Sequence, residues 1–111
     1  MPRISFKIDD FSIKLYAVDN KGTRKRWGDR IIQMYSGGKE VAQAVFGSPL
    51  KDIPEPHLSG GIIHYFASTD QFEAVAELLR GGRIVYIAWE PVRDTKEKND
   101  GDAYFYTERE D

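Results

Sequence analysis

Apolar and polar positions change their rhythm several times along this chain. Ile4, Phe6 and Ile8 alternate with polar residues, and Phe11, Ile13 and Leu15 then alternate in the opposite phase. Period two marks a half-buried strand. The phase shift at Asp9–Asp10 predicts a bulge or tight break, within one bent strand or between two short ones. Asp19-Asn20-Lys21-Gly22 is a turn signal, since Asn and Gly accept positive φ. A second strand is expected from about Arg26 to Tyr35, a hairpin turn at Ser36-Gly37-Gly38-Lys39, and a short alanine-rich strand from Glu40 to Phe46. Tight turns between these strands predict an antiparallel meander. Gly47 to Ser59 holds three of the five prolines. That excludes a central strand or a helix and predicts a crossing loop.

The clearest pattern runs from Gly60 to Trp89. Ile62 to Ala67 is apolar, β-branched and aromatic, with Ile62, His64 and Phe66 on one face and Ile63, Tyr65 and Ala67 on the other. Ser68 and Gln71 have capping-box spacing, with Thr69 a rival cap. Phe72, Val75, Ala76 and Leu79 then form one helical stripe, and Asp70 suits the helix N-terminus. Gly81–Gly82 ends the helix, and Ile84 to Trp89 is the next strand. The stretch EPVRDTKEKNDGD predicts an exposed loop, mobile at Lys96 to Gly101. Ala103 to Thr107 is the last strand, with Tyr104 and Tyr106 opposite Phe105, and the acidic tail is expected to fray.

The element order is four strands, a helix and two strands: a single α+β domain over residues 1–111, with an antiparallel sheet of about six strands and one helix packed on one face. Such a sheet is about 25–30 Å wide, and one short helix covers about 10 Å of it. Both faces nevertheless carry apolar residues. Either the sheet curls on itself or a partner covers it, and a homodimer is the expected partner.

Composition narrows the function. At 41% hydrophobic and 31% charged residues the chain is globular. It has no cysteine, which excludes disulfides and thiolate metal sites. No apolar run approaches the length needed to cross a bilayer, and MPRISFKIDD lacks a signal-peptide core; the expected location is cytoplasmic. A net charge of −2 argues against a strongly basic nucleic-acid binder but allows a local patch.

His57 and His64, the only histidines, have no recognised metal or catalytic spacing. Asp9–Asp10 and Asp100–Asp102 are explained by turn polarity at least as well as by cation binding. Gly37–Gly38, Gly60–Gly61 and Gly81–Gly82 lack phosphate-loop spacing, and Ser36, Ser48, Ser59 and Ser68 lack a nucleophile-elbow context. No cofactor and no metal is implied, and nothing nominates an enzyme.

One charge anomaly remains. Lys21, Arg24, Lys25, Arg26, Trp27 and Arg30 gather cations and an indole at a hairpin. Such a group can hold a phosphate backbone while a ring stacks on a base; the plainer reading is a charged tip that discourages edge pairing. Tyr35, Tyr65, Tyr86, Tyr104 and Tyr106, with Trp89, make a second candidate surface, suited to base stacking or to an ordinary protein interface.

From Ile4 to Leu79 the order of four aromatic-bearing strands and a helix resembles the whirly and positive-cofactor-four families of single-stranded-DNA-binding proteins. Ser36-Gly37-Gly38-Lys39 is a fragment of the lysine–glycine-rich strand motif of the whirly family, and two strands follow the helix in addition. The resemblance implies single-stranded nucleic-acid binding across the sheet of a dimer. The segment from Ile62 to Trp89 is also similar to small bacterial proteins of unknown function. The expected function is therefore a non-enzymatic binding module that contacts single-stranded nucleic acid through Lys21, Arg24, Lys25, Arg26, Trp27, Arg30 and Tyr35. The alternatives are a protein-interaction module and a small hydrolase or metal-dependent enzyme using His64 or the acidic turns.

Overall fold

The computed structural model describes residues 3–17, 28–47, 53–91 and 101–108. Among these are eight strands and one α-helix: β1 (Ile4–Ile8), β2 (Asp10–Leu15), β3 (Arg30–Ser36), β4 (Lys39–Gly47), β5 (His57–Ser59), β6 (Ile62–Ser68), α1 (Phe72–Arg80), β7 (Val85–Pro91) and β8 (Gly101–Thr107). The α+β class holds, but the single antiparallel sheet does not. The strands form two sheets, one of three strands in the order β1-β7-β8 and one of five in the order β2-β3-β4-β6-β5.

The phase shift at Asp9–Asp10 is where the chain passes from one sheet to the other. A one-residue change of phase moves the apolar set to the opposite side of the strand, so both β1 and β2 can turn their apolar residues inward. Asp9 fixes this corner. Its N–H donates to Tyr35 O (3.0 Å), and its Oδ2 accepts the Gly37 N–H (2.7 Å), capping the β3–β4 turn.

The expected meander is present as β2, β3 and β4, all antiparallel, with a bulge opposite Met34 and Tyr35. The next step departs from expectation: β4 and β6 run parallel. A parallel pair needs a crossover, and the Gly47 to Ser59 segment, expected as a crossing loop, lies in the connection between β4 and β6. That segment also ends in a strand the prolines obscured. β5 pairs antiparallel with β6 across Gly60–Gly61, whose φ angles of +60° and +78° suit a two-residue primed turn. As an edge strand β5 respects the exclusion from the sheet centre.

Ser68 and Gln71 do not form a capping box. A 3-10 turn, Thr69–Gln71, precedes α1, and no side chain caps either start. Ser68 Oγ instead bonds Asp70 Oδ1. Of the expected stripe, Phe72, Val75 and Ala76 are buried and Leu79 is partly buried against the core. Gly82, at φ +75°, takes the left-handed position beyond the helix.

One core lies between the sheets. The five-stranded sheet contributes Ile32, Met34, Ala42, Ala44, Phe46 and Ile63; the other contributes Ile8, Val85, Ile87 and Trp89; α1 seals one side. Tyr65 meets Phe105 edge-on at 4.9 Å, and Phe46 meets Phe72 at 5.3 Å and 90°. Trp89, Phe46, Ile32, Met34, Ile63 and Ile87 are fully buried, each stabilising the fold by roughly 1.5–3 kcal/mol. The cover that a lone helix cannot supply is therefore the three-stranded sheet. One face of each sheet stays outside.

Gly101 shows how closely β8 fits against its neighbour β7. Its N–H donates to Pro56 O (3.0 Å), tying β8 to the segment before β5. A Cβ there would stand 2.7 Å from Trp89 Nε1 and closer still to Glu90 O.

Candidate functional site

Register decides what the outer faces carry. Along the five-stranded sheet, Ser12 pairs with Gln33, Gln33 with Gln43, Gln43 with His64, and His64 with His57. Directly paired residues point to the same face, so this is one polar row across all five strands. The next row is Lys14, Ile31, Val45 and Phe66. Both lie on the face opposite the core.

Three rings gather at the β5–β6 end of these rows. His57 and His64 stack with centroids 4.6 Å apart. His57 and Phe66 are 5.6 Å apart at 26°, and His64 and Phe66 6.5 Å at 16°. His57 Nδ1 lies 3.1 Å from Glu55 O. Partial burial, then the neighbouring His57, lower the pKa of His64 below its ordinary value, and Glu40 opposes this. Glu40 also accepts a hydrogen bond from Gln43 Nε2 (2.6 Å). This ring cluster was not foreseen, although a signal was available. Gly60–Gly61 between short apolar runs is a two-residue hairpin turn, and counting outward from it pairs His57 with His64.

Lys21, Arg24, Lys25, Arg26 and Trp27 lie outside the described residues. The strands that flank them meet at the Leu15–Arg30 pair. The chain re-enters at Gly28, φ +88°, where a Cβ would stand 2.7 Å from Val45 Cγ1. Arg30 and Tyr35 are not brought together. They sit near opposite ends of β3 and point to opposite faces. The Arg30 guanidinium lies 5.2 Å from the Phe72 ring centroid and 3.9 Å from Asp29, too long for a hydrogen bond. Tyr35 is half-buried on the outer face, paired with Asp10.

The expected aromatic surface divides. Trp89 is fully buried, and Tyr65 faces the core, where burial raises its pKa. Tyr86, Tyr104 and Tyr106 share the outer face of the three-stranded sheet. Tyr86 and Tyr106 stack at 5.0 Å and 12°, with Arg3 4.9 Å from the Tyr106 centroid. Tyr106 Oη and Ser5 Oγ are 2.6 Å apart, two strands away across the small Ala88. Tyr86 donates to Glu108 (2.9 Å) and Tyr104 to Glu90 (2.6 Å). Each bond holds the phenol proton in place and raises that pKa. Three carboxylates, Glu90, Asp102 and Glu108, thus stand by this face against Arg3 and Lys7.

The acidic turns are occupied by structure. Asp9 caps Gly37, and Asp10 Oδ1 accepts the Phe11 N–H (2.9 Å). Asp100 lies outside the described residues. No group of three or more His, Cys, Asp or Glu positioned to hold a metal occurs among the described residues. A groove of about 370 Å³ opens between α1 and β8, lined by Val75, Leu78, Tyr65 and Phe105 together with Gln71 and Tyr104. Tyr65 Oη lies 3.4 Å from Gln71 Oε1 there. No helix among the described residues is long and apolar enough to cross a membrane.

No family model, no curated protein and no solved structure matches this chain.

Proposed function

We propose that this protein is a non-enzymatic binding module whose outer five-stranded face takes single-stranded nucleic acid. The observation that carries the proposal is the cluster of His57, His64 and Phe66 on the same face as Gln33 and Gln43. Rings offer stacking to bases of any sequence, and side-chain amides hydrogen-bond base edges. Lys21, Arg24, Lys25 and Arg26, in the segment that leads to Gly28, supply phosphate contacts and Trp27 a further ring. Tyr35 extends the surface toward β2. Arg30, engaged by Phe72 on the other face, contributes only through the fold. The resemblance to the whirly and positive-cofactor-four families implies the same ligand class, although six strands rather than four precede α1.

The test is fluorescence anisotropy of a labelled oligonucleotide across a salt series. Binding that weakens as salt rises, with a slope reduced when Arg24, Lys25 and Arg26 become alanine, supports the proposal. No binding at low salt overturns it.

A second reading concerns the other outer face. Tyr86, Tyr104 and Tyr106 with Glu90, Asp102 and Glu108 disfavour a polyanion and suit a polypeptide partner, because tyrosine packs well at protein interfaces and carboxylates attract its cations.

A further inference from the structure

We infer that the free edge of β2 pairs with the same edge of a second copy, joining two five-stranded sheets into one of ten strands about a two-fold axis at Ser12. Among the described residues no strand pairs with that edge. Tyr16 N–H donates to Asp29 O (2.8 Å). This places Leu15–Arg30 as a non-hydrogen-bonded pair, so the even-numbered residues of β2 bond to β3. The N–H and C=O groups of Phe11, Ile13 and Leu15 therefore point outward. The Phe11 N–H agrees, since it donates to the neighbouring Asp10 carboxylate (2.9 Å).

The sequence of β2, DFSIKL, is self-complementary about Ser12. In an antiparallel two-fold pair centred there, Asp10 faces Lys14 of the second copy and Lys14 faces its Asp10. Phe11 faces Ile13 and Ile13 faces Phe11. The backbone phase agrees: Phe11–Ile13 becomes the hydrogen-bonded pair, made from the outward groups, and Ser12–Ser12 the closer non-hydrogen-bonded pair. An isologous interface requires this reciprocity. Asp10, Ser12 and Lys14 are exposed, while Phe11 and Ile13 are partly exposed and would be covered. On pairing, Asp10 exchanges the Phe11 N–H for a lysine. The alternation keeps opposite charges opposed only in this register, since a shift of one or two residues breaks both ion pairs. The outer faces of the two copies then form one surface, with a ring cluster at each far end.

The test is sedimentation equilibrium of the full chain without nucleic acid, so its outcome is independent of the proposed ligand. The wild type is expected to dimerise. Asp10→Lys alone and Lys14→Asp alone each turn two attractive cross-strand pairs repulsive and should weaken self-association about tenfold or more. Mixing the two variants restores both pairs and should restore dimers, now mixed. Ser12→Cys gives the otherwise cysteine-free chain one thiol at the axis, and mild oxidation should cross-link it. Asp10→Cys, about 14 Å from its own copy in this register, should not cross-link. A wild type that stays monomeric at every attainable concentration overturns the inference. So do a mixture that fails to recover dimers from folded variants and equal cross-linking at the two positions.

Discussion

His57 and His64 stack ring on ring, 4.6 Å between centroids and 14° between planes, from opposite sides of a glycine–glycine turn. Burial and the proximity of His57 disfavour a proton on His64, and Glu40 only partly compensates. The folded protein therefore binds that proton less readily than the unfolded chain does. A histidine depressed in the fold stabilises it fully above the ordinary value near 6.5, and that contribution is lost as pH falls below it. Denaturant midpoints should fall between about pH 7.5 and about pH 5.5, and His64→Gln should flatten the difference. An unchanged slope in the variant would remove His64 as the cause.

The ring cluster should matter more for binding than for folding. Phe66 is partly exposed on the outer face, and losing one stacking ring costs about 1–3 kcal/mol per base contacted. Phe66→Ala is expected to weaken oligonucleotide binding about tenfold in anisotropy titrations. Tyr86→Ala, on the other sheet, should leave that affinity unchanged.

The core should answer differently. Phe46 is fully buried and packs edge-on against Phe72. Phe46→Ala should cost about 3–5 kcal/mol of unfolding free energy. Lys39→Ala, at the exposed start of β4, should stay within about 0.5 kcal/mol. Urea denaturation of both variants checks the contrast.

Gly101 has no room for a side chain, because Trp89 Nε1 and Glu90 O occupy the space a Cβ would fill. Gly101→Ala should destabilise by about 2 kcal/mol, since β8 must shift from its neighbour β7 to admit the methyl. Thermal unfolding measures it, and an unshifted midpoint would mean that β8 yields easily.

Local pattern carried the strands and the helix; long-range pairing was hidden. The split of β6 into Ile63, Tyr65 and Ala67 against Ile62, His64 and Phe66 is legible because period two admits one assignment once Ile63 and Ala67 are buried. The α1 stripe and the Gly37–Gly38 hairpin were legible for similar local reasons. The phase break at Asp9 was visible, but not that it separates two sheets, since a bulge and a sheet change leave the same trace. The parallel β4–β6 pair was illegible because Glu40 to Gly47 alternates the same way whichever direction its neighbour runs. His57 is obscured by composition: the prolines before it predict a loop from Gly47 to Ser59, and nothing in that composition marks its last three residues as a strand. The capping box failed because Ser68 found Asp70 first. Of the proposed ligand-binding residues, Tyr35 is on the outer face and Arg30 is not, a separation that follows from five positions along one strand.

Backbone amide shift mapping during titration with a short single-stranded oligonucleotide shows which face binds. Perturbations at Gln33, Gln43, His57, His64 and Phe66, with Tyr86, Tyr104 and Tyr106 unmoved, are the predicted result. A spectrum unaltered at saturating oligonucleotide, or changes confined to the tyrosine face, would contradict it.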